Sequence, residues 1–279
     1  MSTVAITAAD INKLRQATGA GMMDCRKALT ATEGDFEAAI DWLRKQGQKV
    51  AAKRSDREAK EGVVIAQTTA DNKTGFAITI SCETDFVSKN ADFVAFAQSI
   101  ADAAVANDVK NIEELNAALV NGAKVEDLIN DKLASIGEKI GIARFERVEA
   151  PYVASYIHGA NRMGVLVALS HEAAEAGKDV AMQIAAMNPL AVDADSIAAD
   201  VIERERAIVI DTMKADPKMA GKPEEMVAKI AEGKLNAFFK EQTLLAQAFV
   251  KDGSKSVAEY LKSVNADLKV LSFARVALG

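Results

Sequence analysis

GVVIAQTTADNKTGFAITIS, residues 62–81, and YVASYIHGANRMGVLVALS, residues 152–170, decide the fold, because they write one unit twice. Each is a β-rich run, a turn rich in Asn, Gly or Asp, and a second β-rich run, which is the pattern of a hairpin. Gly75 stands where Gly164 stands, and Ser81 where Ser170 stands. Each hairpin leads into an Ala-rich helical pattern, FVAFAQSIADAAVA in the first copy and VAMQIAAMN in the second. A third strand closes each copy: IGIARFERV (140–148) and KVLSFARVAL (269–278) share F-x-R-V. The predicted fold class is α+β, with a core of two related halves, each an antiparallel sheet with helices on one side.

Ahead of the repeat, residues 4–47 carry three short helical patterns. Thr7 and Asp10 form a capping box for the first, with Ile11 and Leu14 on one face. The Gly19–Gly21 stretch breaks the chain, and Met22, Cys25 and Leu29 follow at helical spacing. Gly34 ends the second helix and Asp35 caps the third, whose Phe36, Ala39, Ile40 and Leu43 sit at i, i+3, i+4 and i+7. The polar segment Gln46–Gly62 is expected to separate this module from the core. Inside the second half, residues 196–241 read as two helices around DPKMAGKP, an antiparallel hairpin with Val201, Ile202, Ile208, Val209 and Met213 on one helix. Val227, Ile230, Ala231, Leu235 and Phe238 line the other. The expected units are 1–55, 56–149 and 150–279, the last with its insertion at about 196–241.

Composition narrows the function. The 279 residues are 49% hydrophobic and 27% charged, with a net charge of −6. No apolar run approaches the roughly 18–20 residues that span a bilayer. The N-terminus has neither a secretory nor a transit pattern, so a cytoplasmic protein is expected. A basic face with stacking aromatics, the footprint of nucleic-acid binding, is missing; Lys49–Lys60 is diluted by Asp56 and Glu58 and reads as a solvated helix or linker. Cys25 and Cys82 have no CxxC or His partner, which favours buried free thiols over a disulfide or zinc site.

The connection CETDFVSKN, Cys82–Asn90, is the functional candidate. The equivalent connection in the second copy, after Ser170-His171-Glu172, reads AAEAGKD. The same strand-to-helix turn is thus built once without Phe or Val, which weakens the reading of Asp85, Phe86 and Val87 as a turn with a core plug and leaves it open beside entry into a partner. Loops on a rigid scaffold tend to carry function. A ring beside a carboxylate suits insertion into a partner, with area from one and direction from the other. Asp92 and Asp179 are expected to cap the helices that follow.

Other motifs carry less. GAGMMD lacks the third Gly and the Lys of a phosphate loop and follows a helix. Adjacent Met22 and Met23 cannot both face one core, so one is expected in the core and one as a soft contact surface. His158 lies in a hairpin turn. With His158 and His171 alone and no placed Ser or Cys partner, general-base or nucleophilic catalysis has little support, and an enzyme is not expected. The competing reading is a helical adaptor or holdase, with the Phe-Val loop as a generic contact; a transferase is more distant.

LRQATGAGMMDCRKAL (Leu14–Leu29), SCETDFVSKN (Ser81–Asn90) and SYIHGANRMGVLVAL (155–169) together resemble the signatures of the bacterial elongation factor Ts family, in order along the whole chain. The resemblance implies a guanine-nucleotide exchange factor for elongation factor Tu, binding the GDP-bound and nucleotide-free GTPase, with no cofactor of its own. It implies a ubiquitin-associated-like three-helix N-terminal domain, a two-part core and a coiled-coil hairpin that would carry homodimerisation. Thr84, Asp85, Phe86 and Val87 would enter the GTPase domain and dislodge Mg²⁺. Met22, Met23 and Arg26 would contact the same domain, and His158 another. The commoner Lys-Lys pair after the Cys is Arg26-Lys27 here. The C-terminal helical module of some members is not expected beyond Gly279, which puts its contact in doubt.

Overall fold

The computed structural model describes residues 5–54, 56–216 and 223–279. Three helices come first: α1 (Ala8–Thr18), α2 (Met22–Ala31) and α3 (Phe36–Arg54). The Thr7–Asp10 capping box forms as expected, and Gly19 closes α1 in the left-handed region at φ 70°. Leu14, Cys25, Leu29, Ala39 and Leu43 make the core of this module. The polar segment expected to separate it from the core is instead helical as far as Arg54. Gly47 weakens a helix intrinsically, but here it lets α3 lie close to a later helix. A Cβ at Gly47 would stand 2.7 Å from the Cβ of Ala134. Tertiary contact thus overrides the local composition.

The first half follows as β1 (Glu61–Thr68), β2 (Thr74–Cys82), a single helical turn α4 (Asp85–Ser88), and α5 (Ala91–Ala106). Then come α6 (Ile112–Ala117), the short ladder β3 (Leu119–Val120) and β4 (Ala123–Lys124), α7 (Val125–Ile136) and β5 (Gly141–Glu149). The second half has β6 (Tyr152–His158), β7 (Met163–Leu169) and α8 (Ala174–Met187). The helical pair α9 (Ala199–Ala215) and α10 (Glu224–Gln242) is followed by β8 (Ala248–Phe249), β9 (Asp252–Ser256), α11 (Val257–Val264) and β10 (Val270–Ala277).

Both sheets are antiparallel and have the same order, β1-β2-β5 and β6-β7-β10, with the second hairpin strand central. One face of the first sheet, with Val63, Phe76, Ile78 and Ile80, packs under α5 and α7. The matching face of the second, with Val165, Val167 and Leu169, packs under α8 and α11. The remaining faces meet each other through Val64, Ala66, Ala77, Val153, Leu166 and Val276. The architecture is therefore four layers, helices–sheet–sheet–helices, and each sheet buries both faces. The matched glycines sit at this seam. A Cβ on Gly75 would meet Val153 at 2.7 Å, and one on Gly164 would meet Ala66 at 2.9 Å.

The inserted pair α9–α10 has its own small core of Val209, Met213 and Ala231, flanked by Ile210, Val227 and Ile230. Ile208, expected on that inner face, is 52% exposed. Residues 217–222 of the expected connection lie outside the described residues. The predicted helix caps are corrected. Asn90, not Asp92, caps α5, accepting the Asp92 amide at 2.8 Å. Asp179 is buried within α8, where Lys251 and the Tyr260 hydroxyl bind it at 2.5 and 2.8 Å. No helix of the described residues is long and apolar enough to cross a membrane.

Candidate functional site

Cys82 ends β2 in the core and Ser88 is buried again, so the five residues between them are tied at both ends. Within this span the chain makes the one turn α4, with Thr84 extended at its N-cap (φ −122°, ψ 153°). The turn divides its side chains. Val87 packs against the first-half core, so it is the core plug. Phe86 points away and is 85% exposed. Asp85 is paired with Lys89 one turn on, at 2.7 Å, and this bond, with the lysine charge, holds its carboxyl below the usual range.

Two glutamates fix this turn. Glu138 follows Gly137, the left-handed end of α7 (φ 78°). One of its oxygens accepts the amides of Glu83 and Thr84, both at 3.1 Å, and the other accepts the Thr84 hydroxyl at 2.6 Å. Glu83 turns the other way. It accepts the Lys139 amide at 2.6 Å, the Arg54 guanidinium at 2.6 Å and that of Arg57 at 3.0 Å. The Lys139 ammonium in turn donates to the Arg57 carbonyl at 3.0 Å. The Lys139 amide and then the two arginines push the Glu83 carboxyl down from the ordinary 4.5 to about 2. Cys82 goes the opposite way: burial first, and the Glu138 charge second, push its thiol up to about 12. A thiol so held is a packing group, not a nucleophile.

The remaining candidates lie apart along the chain. Met22 and Met23 are 49% and 63% exposed, so neither is the core residue expected at that pair. Cys25, Ala28 and Leu29 supply the buried face of α2 and leave both methionines and Arg26 outward. His158 is exposed at the end of β6, its Nδ1 3.0 Å from the Tyr156 hydroxyl. Glu138, Arg54 and Arg57 were not singled out by sequence, for a plain reason: a Glu in a turn and Arg residues in a polar run read as solvated. Among the described residues no three His, Cys, Asp or Glu side chains gather closely enough to hold a metal ion.

These features define the class: a two-half α+β protein with a helical N-terminal module, presenting an exposed aromatic beside a carboxylate on a turn locked by half-buried carboxylate bonds. The family model described as elongation factor TS matches residues 83–279. Elongation factor Ts of Christiangramia forsetii is 51% identical over 277 residues, covering 98% of this chain and 99% of that one. The same-named protein of Flavobacterium psychrophilum is 50% identical over 277 residues, with the same coverage. That of Legionella pneumophila is 43% identical, covering 100% of this chain and 93% of its own. The chain belongs to the elongation factor Ts family.

Proposed function

We propose that this protein is the guanine-nucleotide exchange factor of elongation factor Tu, acting in the cytoplasm without catalytic chemistry of its own. The observation that carries the reading is Phe86, a large ring turned to solvent from an otherwise packed and hydrogen-bonded turn. Loops positioned by a rigid scaffold tend to carry binding residues, and aromatic side chains are enriched at interfaces. Phe86 and Asp85 enter the GTPase domain and displace Mg²⁺, with Thr84 and Val87 as the fixed base beneath them.

In a P-loop GTPase, Mg²⁺ bridges and neutralises phosphate oxygens, so its displacement loosens the nucleotide. The exchange factor needs only to favour the nucleotide-free conformation. By linkage, nucleotide must then weaken its binding by the same factor. Moving such an equilibrium from about 1:99 to 99:1 takes roughly 5.5 kcal/mol of differential affinity, and one anchor is worth about 2–4. The wedge therefore needs the rest of the footprint. Met22, Met23 and Arg26 on the three-helix ubiquitin-associated-like domain supply one part and the His158 turn another. Units at 1–55, 56–149 and 150–279, with α9–α10 as a dimerising coiled coil, complete the proposal.

The test is release of a fluorescent GDP analogue from elongation factor Tu at two Mg²⁺ concentrations. Strong acceleration that shrinks once Mg²⁺ has been removed supports exchange by metal displacement. Absence of acceleration by folded protein overturns it in favour of an adaptor.

A further inference from the structure

Phe86 is 85% exposed, and its neighbour Asp85 pairs with Lys89, a side chain that is itself exposed. What sets their direction is the backbone beneath them. That backbone is held from outside the turn by Glu138, which accepts two successive amides and a hydroxyl with its two oxygens. We propose that Glu138 is the positioning residue of the exchange wedge, fixing α4 so that Asp85 and Phe86 meet the partner preformed. The proposal rests on the exchange reading given above.

Three observations support it. The Glu138 carboxylate satisfies the amides of Glu83 and Thr84, the two residues that link the end of β2 to α4. Charged acceptors make such bonds the strong ones. Glu138 is itself placed by Gly137, whose left-handed conformation ends α7 and aims the next residue at the turn. Among the described residues no carboxylate does this in the second copy, whose turn is tied instead by the Ser170 hydroxyl to Asp267 and Lys269. Its helix α8 starts at Ala174 with no side-chain cap, runs unbroken to Met187, and presents no large exposed ring in its first turn. Among the described residues, the carboxylate cradle accompanies the copy that carries the exposed aromatic.

A binding group held in its bound geometry loses less freedom on docking. Removing the cradle should therefore leave encounter with the partner largely intact and slow the step the wedge drives. The experiment titrates the full-length protein against elongation factor Tu loaded with a fluorescent GDP analogue, giving a maximal release rate and a half-saturating concentration. Glu138→Ala is expected to lower the maximal rate about tenfold, the factor of one charge-assisted hydrogen bond, with little change in half-saturation. Thr84→Val, which removes the hydroxyl and leaves both amide bonds, should lose part of the maximal rate with half-saturation unchanged. In a background lacking both wedge side chains, Asp85→Ala with Phe86→Ala, Glu138→Ala should cost nothing further, since it acts through those two groups.

An additive loss in that background, or a loss in half-saturation alone, would mean a general structural role and overturn the proposal. If Phe86→Ala slows release and Glu138→Ala does not, the positioning idea fails while the wedge stands. If Phe86→Ala itself has no effect, the wedge reading fails and takes this one with it. Should Glu138→Ala not fold, Thr84→Val decides: a parental maximal rate overturns the proposal.

Discussion

Asn72 and Asn161 occupy the same place in the two hairpin turns, and each accepts, through its main-chain carbonyl, an amide from the other half. Val64 donates to Asn161 at 2.7 Å and Val153 to Asn72 at 2.6 Å. Both asparagines are left-handed, at φ 54° and 65°, a conformation Asn tolerates better than most residues. Val64 and Val153 lie on β1 and β6, which are edge strands. Each open edge is thus bridged by the opposite turn, which blunts it against foreign pairing. The next residues repeat the exchange within each half, Ala150 to Lys73 and Leu278 to Arg162, both at 3.0 Å.

Gly75→Val should expose how tightly this seam is packed. The new Cβ would stand 2.7 Å from Val153 Cγ1 and 2.9 Å from Leu166 Cδ2, both in the seam between the sheets. Overpacking of this kind costs about 1–3 kcal/mol. The expected result is a lower urea midpoint with an unchanged slope. An unchanged midpoint would mean that the two sheets slide apart without penalty.

Phe86→Ala should separate docking from folding. The ring is 85% exposed, and substitutions at such sites change stability by no more than about 0.5 kcal/mol. The melting temperature should stay put while nucleotide release slows. Asp85→Ala should also slow release, by removing the carboxylate beside the ring. Loss of the cooperative thermal transition in Phe86→Ala would show that the ring supports the core.

Acid should loosen the joint between α3 and the wedge. Glu83 has its carboxyl pushed down from 4.5 to about 2 by the Lys139 amide and the two arginines. A depressed carboxyl contributes stability that is complete above the unfolded value and disappears as pH falls through the folded one. That contribution should therefore be lost between about pH 5 and 2. Glu83→Gln should be less stable than the parent at neutral pH, and the difference should narrow across that window. A constant gap in melting temperature would place the depression elsewhere.

The repeat could be read from the chain because its signals are local: alternation, turn residues and a shared F-x-R-V. The four-layer packing could not, since nothing in residues 62–81 says what their second face meets. The same distinction holds at the site. Phe86 stood out because the second copy lacks an aromatic there. Glu138 did not, because it and Thr84 lie far apart in sequence and meet only once α7 has folded back. The polar run after Gln46 misled for a related reason: it reads as a separator, yet α3 continues through it to Arg54, with Gly47 admitting Ala134.

Removing residues 203–240 should leave the core folded. The base of the α9–α10 pair is closed beneath it: Leu190 donates to the Gln242 carbonyl at 2.8 Å, Leu244 to Ala191 at 2.9 Å and Leu245 to Val192 at 3.0 Å. None of these bonds lies in the deleted span. The pair also keeps a separate apolar cluster of its own, so its loss opens no cavity in either half. Packed helix axes stand about 8–10 Å apart, a gap that a Gly-Ser link of roughly four residues spans. The shortened protein should melt close to the parent and, by light scattering, run at the mass of one chain where the parent self-associates. A collapse of the melting transition would make the pair part of the core, and an unchanged mass would remove its role in dimerisation.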